Sequence, residues 1–136
     1  MRRKRYRLGM PFVRCPTPVD SQASLDRVLA AQGDALFLFF GAEDPVTGQS
    51  WCPDCVTADP VLRATIAANA PGLPVYECPV GARSAWKGIM DHPYRIHPVF
   101  HLQRIPTLIR FRGGIDIGRL VEAPCSDRAA VAAFLG

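Results

Sequence analysis

The sequence predicts an α/β fold, a central mixed β-sheet flanked by helices, and three observations predict it. Ala35–Phe40 is a continuous apolar run of six residues, the length and character of a central strand buried on both faces. Immediately downstream, Val56, Val61, Leu62, Thr65 and Ile66 recur at helical spacing within residues 54–70. Late in the chain, residues 107–111 and Ile115–Val121 read as two strands turned at Gly113-Gly114. Strand, helix and strand followed by a hairpin and a helix is a two-layer pattern around one sheet.

Taken in order, the chain opens with a strand near Phe12-Val13 and a helix over residues 21–32 closed by Gly33. The apolar run follows, too short to span a membrane. In the helix after it, Pro53 suits the first helical position, where a missing N–H costs nothing, and Pro60 removes a hydrogen bond and bends the helix. Next come a strand over residues 74–79 and a helical connector over residues 84–102, interrupted by Pro93 and Pro98. The β-branched and aromatic hairpin leads into a last helix, residues 126–135. With 136 residues, 49% of them hydrophobic, residues 10–136 are expected to form a single domain behind a basic segment, residues 1–9.

That segment holds five of the 16 Lys and Arg residues and no acid, so the remaining 11 face 12 Asp and Glu and the formal charge of +4 belongs to the tail. It lacks the apolar stretch of a secretory signal. It reads as a disordered tail, a nuclear or nucleic-acid patch, a weak transit peptide, or an upstream extension of a frame starting at Met10. The plain tail is favoured, and neither nucleic acid nor membrane is an expected partner, because residues 10–136 show no basic stripe with interleaved aromatics. Five cysteines without evenly placed pairs fit a reducing, cytoplasmic setting, and a monomer is expected.

The chemistry concentrates in Trp51-Cys52-Pro53-Asp54-Cys55. A C-x-x-C is also half of many zinc sites, but here it straddles a strand-to-helix junction, which favours thiol–disulfide exchange. At a helix N-terminus the free N–H groups and the dipole favour a thiolate, lowering the Cys52 pKa from about 8.5 towards 7. Position alone makes Cys52 the exposed nucleophile and Cys55, one turn further in, the buried resolving thiol. Trp51 forms a wall of the substrate surface, Cys78 is a core residue, and Cys15 and Cys125 are partly exposed bystanders open to oxidation. His92, His97 and His101 lack paired spacing and no second C-x-x-C exists, so no metal is expected.

Arg104-Ile105-Pro106-Thr107 resembles the thioredoxin superfamily, in which such a proline is cis beside the active cysteines. The resemblance implies a thioredoxin fold, a cis Pro106, and an Ile105 backbone that hydrogen-bonds substrate next to Cys52. It narrows to the thioredoxin domain-containing protein 17, or Clot-like, family through four features: the long loop of residues 41–50, W-C-P-D-C, Cys78-Pro79-Val80-Gly81 followed by Trp86-Lys87, and residues 120–125. That family implies a cytosolic protein-disulfide reductase with no bound cofactor. It would take electrons from NADPH through thioredoxin reductase and act on small or selected disulfides, with Pro53, Asp54 and Pro106 supporting the site. The alternatives are a redox-inert binding module using Trp51 and Ile105, and a metal or iron–sulfur carrier. Ordinary thioredoxins also carry a buried aspartate where this chain has Phe39, which leaves Asp54, Glu43 or Asp44 to accept the Cys55 proton. A carboxylate so close also opposes thiolate formation.

Overall fold

The computed structural model describes residues 12–136, so the basic segment and Met10 lie outside the described residues. Five strands, β1 (Phe12–Arg14), β2 (Ala35–Phe40), β3 (Val75–Pro79), β4 (Thr107–Arg112) and β5 (Ile115–Val121), form one mixed sheet in the order β1-β3-β2-β4-β5. β3 runs parallel to both β1 and β2, β4 is antiparallel to β2, and β5 is antiparallel to β4. The apolar run is the central strand, and its first five side chains are 0–3% exposed. Alternation divides them: Phe37 and Phe39 join Leu25, Tyr94 and Phe100, whereas Leu36 and Leu38 join Leu62, Ile66 and Val131. Each such side chain, fully buried, contributes about 1.5–3 kcal/mol.

Helices α1 (Pro18–Ala30), α2 (Pro53–Asn69), α3 (Arg83–Trp86), α4 (Pro93–Ile96) and α5 (Arg128–Leu135) complete the architecture. α1 and the α3–α4 connector supply one core cluster, which Cys55 of α2 also joins, and the rest of α2 with α5 supplies the other. Helix α1 starts three residues before the sequence expectation because Thr17 and Asp20 form a reciprocal capping box and Pro18 fits the first turn. It closes on Gln32, with φ 51°, rather than on Gly33. Pro93 does not interrupt a longer helix but begins α4, whose N-cap His92 accepts the Tyr94 N–H at 3.0 Å. The last helix is also split: Ala123–Ser126 is a 3₁₀ turn, and α5 begins after Asp127, which caps the N–H groups of Ala129 and Ala130. Helix α2 runs continuously through Pro60. At the hairpin, Gly113 (φ 60°) and Gly114 (φ 77°) supply the two positive φ angles that a tight two-residue turn requires.

Candidate active site

Cys52 is the N-cap of α2, with extended backbone at φ −93° and ψ 110°. Its sulfur takes the place of the usual capping oxygen. The Cys55 N–H donates to Cys52 Sγ at 3.3 Å, and the Cys55 thiol reaches the same sulfur at 2.6 Å. Both are free thiols. The Cys55 thiol donor is the main reason the Cys52 pKa is lowered to about 7; burial and the charge of Asp54 oppose it, and the Cys55 N–H assists. The same contact, together with burial, pushes the Cys55 thiol far up. Cys52 is therefore expected to be alkylated by iodoacetamide at a rate that rises about tenfold per pH unit below neutrality and levels off above a midpoint near 7. A midpoint of 8.5 or higher would contradict this environment.

The structure corrects one expectation about this pair. Cys52 is not the exposed member, since it is 6% exposed against 5% for Cys55. Hydrogen-bond role distinguishes the two sulfurs, one accepting and one donating, and so does what each borders. Cys52 lines a cleft of about 560 Å³ with Trp51, Pro53, Asp54, Arg104 and Ile105. Cys55 lines a separate cavity of about 430 Å³ with Leu38, Phe40, Ser50 and Pro106.

Trp51 is half-buried and its indole N–H donates to Gly81 O at 2.8 Å, which holds the ring as one wall of the Cys52 cleft. The Ile105–Pro106 peptide bond is cis, as the resemblance implies. Among the described residues, neither the N–H nor the C=O of Ile105 has a hydrogen-bond partner, and Ile105 borders the cleft beside Cys52. Two site residues escape a reading by spacing. Ser50 Oγ donates to Gly41 O at 2.6 Å and accepts the Cys52 N–H at 3.1 Å, which fixes the turn into the helix. Gly41 lies under Trp51, where a Cβ would come 2.6 Å from Trp51 Cε2. A glycine directly after an apolar strand is the signal that could have found it.

A family model described as "Thioredoxin domain-containing protein 17-like, thioredoxin domain" matches residues 18–136. The chain belongs to that family. It is 36% identical over 123 residues to the thioredoxin-like protein Clot of Oryza sativa, covering 82% of this chain and 88% of the relative. The Clot protein of Arabidopsis thaliana is 41% identical over 85 residues, 62% of this chain and 63% of the relative. Human thioredoxin domain-containing protein 17 is 31% identical over 93 residues, covering 68% and 71%. Among solved structures, oxidised thioredoxin O2 from Arabidopsis thaliana superposes with a TM-score of 0.64 at 18% identity, covering 92% of this chain and 94% of that one, which shows the thioredoxin fold. Fold and family together support thioredoxin-like redox function.

Within this family setting, other expectations change. Phe39 turns to the opposite face of β2, against Tyr94 and Phe100, so the β2 side chains facing the Cys55 cavity are Leu38 and Phe40. Glu43 borders that cavity but is bound through both oxygens by Arg14, which holds its carboxyl below the usual range. Asp44 organises the loop instead, accepting the Val46 N–H at 2.7 Å. Of the three carboxylates considered for Cys55, only exposed Asp54 has no such commitment. A buried carboxylate that the spacing did not flag, Glu77, lies in register with Leu38 and pairs with Arg14 and Arg63.

Cys15 and Cys125 are not partly exposed: they are 1% and 0% exposed, and Cys78 is in the core as expected. The Cys125 thiol faces Pro106 O and Leu120 O, and burial raises its pKa to about 11. His92 and His97 use both ring nitrogens in hydrogen bonds. Among the described residues no cluster of three His, Cys, Asp or Glu is placed to hold a metal, and no helix is long and apolar enough to cross a membrane.

Proposed function

We propose that this chain is a dithiol disulfide reductase of small or selected protein disulfides, with Cys52 as nucleophile and Cys55 as resolving thiol. The two Cys55 donors converging on Cys52 Sγ carry this reading, because they stabilise the thiolate that must attack. Cys52 thiolate attacks one substrate sulfur, forming a mixed disulfide and releasing the other as a thiolate. Cys55, losing its proton, then attacks Cys52 Sγ, forms the Cys52–Cys55 disulfide and releases the second substrate thiol. Two electrons from NADPH, delivered by thioredoxin reductase, restore the dithiol.

Support for a substrate lying against Trp51 and Ile105 comes from the unpartnered Ile105 backbone at the cleft. The cleft walls carry Arg83, Lys87, Arg95 and Arg104 against Asp54 and Glu122, a cationic surplus that favours disulfides bearing carboxylates. Cytoplasmic placement accords with the reducing environment that this chemistry needs.

The test is NADPH consumption with thioredoxin reductase, comparing cystine and insulin, for the wild type and Cys52→Ser. Strong turnover of cystine, weak turnover of insulin and loss of both in the variant are expected. No wild-type turnover of either substrate, despite a reducible Cys52–Cys55 pair, would overturn the reading in favour of a redox-inert binding module or a different reductant.

A further inference from the structure

The register joining β1 to β3 brings two more cysteines together. Arg14 pairs with Glu77 in this parallel ladder, and the Cys15 N–H donates to Glu77 O at 2.8 Å, extending the alignment one residue to Cys15 and Cys78. Adjacent strands lie about 4.8 Å apart, inside the Cα separation of about 4.4–6.8 Å that a disulfide spans. Both thiols enter the same core cluster, and both are almost fully buried.

Their surroundings are unusually polar for a core. Helix α1 brings Ser24 Oγ to 3.5 Å from Cys15 Sγ, and buried Ser21 shares a 2.6 Å hydrogen bond with the Tyr94 hydroxyl. The neighbouring Cys78 thiol is the largest influence lowering the Cys15 pKa, to about 6, with the Ser24 and Ser21 hydroxyls assisting against burial. Burial drives the Cys78 thiol upwards. In this arrangement the Cys78 thiol lies 3.6 Å from Tyr76 O, and the strand register, not a sulfur–sulfur contact, sets it beside Cys15. Neither Cys15 nor Cys78 borders the Cys52 cleft or the Cys55 cavity.

We propose that Cys15 and Cys78 form a second dithiol, which hydrogen peroxide or a comparably small peroxide converts to a disulfide stapling β1 and the start of α1 to β3. Cys15 thiolate attacks a peroxide oxygen and breaks the O–O bond, giving a sulfenic acid and, with one proton, water. Cys78 sulfur then displaces the sulfenic oxygen, which leaves as a second water carrying the Cys78 proton. The two thiols are oxidised by two electrons and the peroxide is reduced by two. A peroxide is close to water in size, which suits a pair that larger oxidants cannot reach. Among the described residues, three ladder pairs hold β1 to β3, and the new bond closes a loop of roughly 60 residues, so the oxidised form resists unfolding.

The test is hydrogen peroxide treatment of the native wild type and of a Cys52→Ser/Cys55→Ser variant, followed by non-reducing peptide mapping and thermal melting. A Cys15–Cys78 peptide pair is expected in both proteins. In the variant, Tm should exceed that of the reduced form by about 5 °C or more. Adding Cys15→Ser should remove both the bridge and the shift, and Cys15→Ser alone should leave disulfide turnover unchanged. Recovery of both thiols after oxidation, a Cys15 sulfinic acid without the bridge, or bridging only in denaturant would overturn the proposal.

Discussion

A Cys55→Ser variant is expected to attack once and stop, holding its substrate as a mixed disulfide on Cys52. Cys52 keeps the helix-end position and the residue-55 N–H at 3.3 Å, so the first exchange proceeds. Removal of the neighbouring thiol leaves only external thiols to release the adduct. Even an effective concentration on the order of 1 M for the intramolecular thiol, far below the upper range for oriented groups, exceeds about 1 mM external thiol by about 10³-fold. Steady-state turnover should fall by about that factor, while a stoichiometric adduct survives non-reducing electrophoresis. The variant should also attack less readily near neutrality, because the Cys55 thiol is the largest contributor to the lowered Cys52 pKa. Near-normal turnover without an adduct would show that Cys55 does not resolve the intermediate.

Phe37→Ala is expected to lower folding stability by about 3–5 kcal/mol. Phe37 is fully buried at the centre of β2, with ring centroids 4.9 Å from Tyr76, 5.3 Å from Phe100 and 5.5 Å from Phe111. Those partners come from β3, the connector and β4, so the cavity left behind is enclosed on several sides and collapses poorly. Urea unfolding checks this: the midpoint should drop with the slope unchanged. A loss below about 1 kcal/mol would mean that the aromatic cluster repacks around the gap.

Much of the fold was legible because its strongest signals are local. Ala35–Phe40 announced a doubly buried strand by composition, and the spacing after Cys52 announced a helix. The W-C-P-D-C segment and Ile105-Pro106 carried the rest through resemblance. What remained hidden depends on tertiary placement. The start of α1 was missed because the apolar pattern begins after its capping box, although Thr17-Pro18-Val19-Asp20 states that box in the sequence. Glu43 was open to a proton-accepting role until Arg14, 29 residues away, appeared across from it. Cys15 looked peripheral because no local pattern shows that it follows β1 directly into the core, beside Cys78. Cys52 looked exposed because cap geometry predicts hydrogen bonding at the sulfur but says nothing of the Trp51 and Ile105 side chains beside it.

The close fit of Gly41 beneath Trp51 has an evolutionary side. One glycine meets the aromatic wall, and its carbonyl receives the Ser50 hydroxyl that also holds the Cys52 N–H. A side chain at that position would displace Trp51 and Ser50 in one step, so the recognition surface cannot be widened there without disturbing the nucleophile. Divergence in substrate preference among descendants of this chain is thereby channelled to the charged lining, where Arg83, Lys87 and Arg104 border the cleft without contributing to the cap.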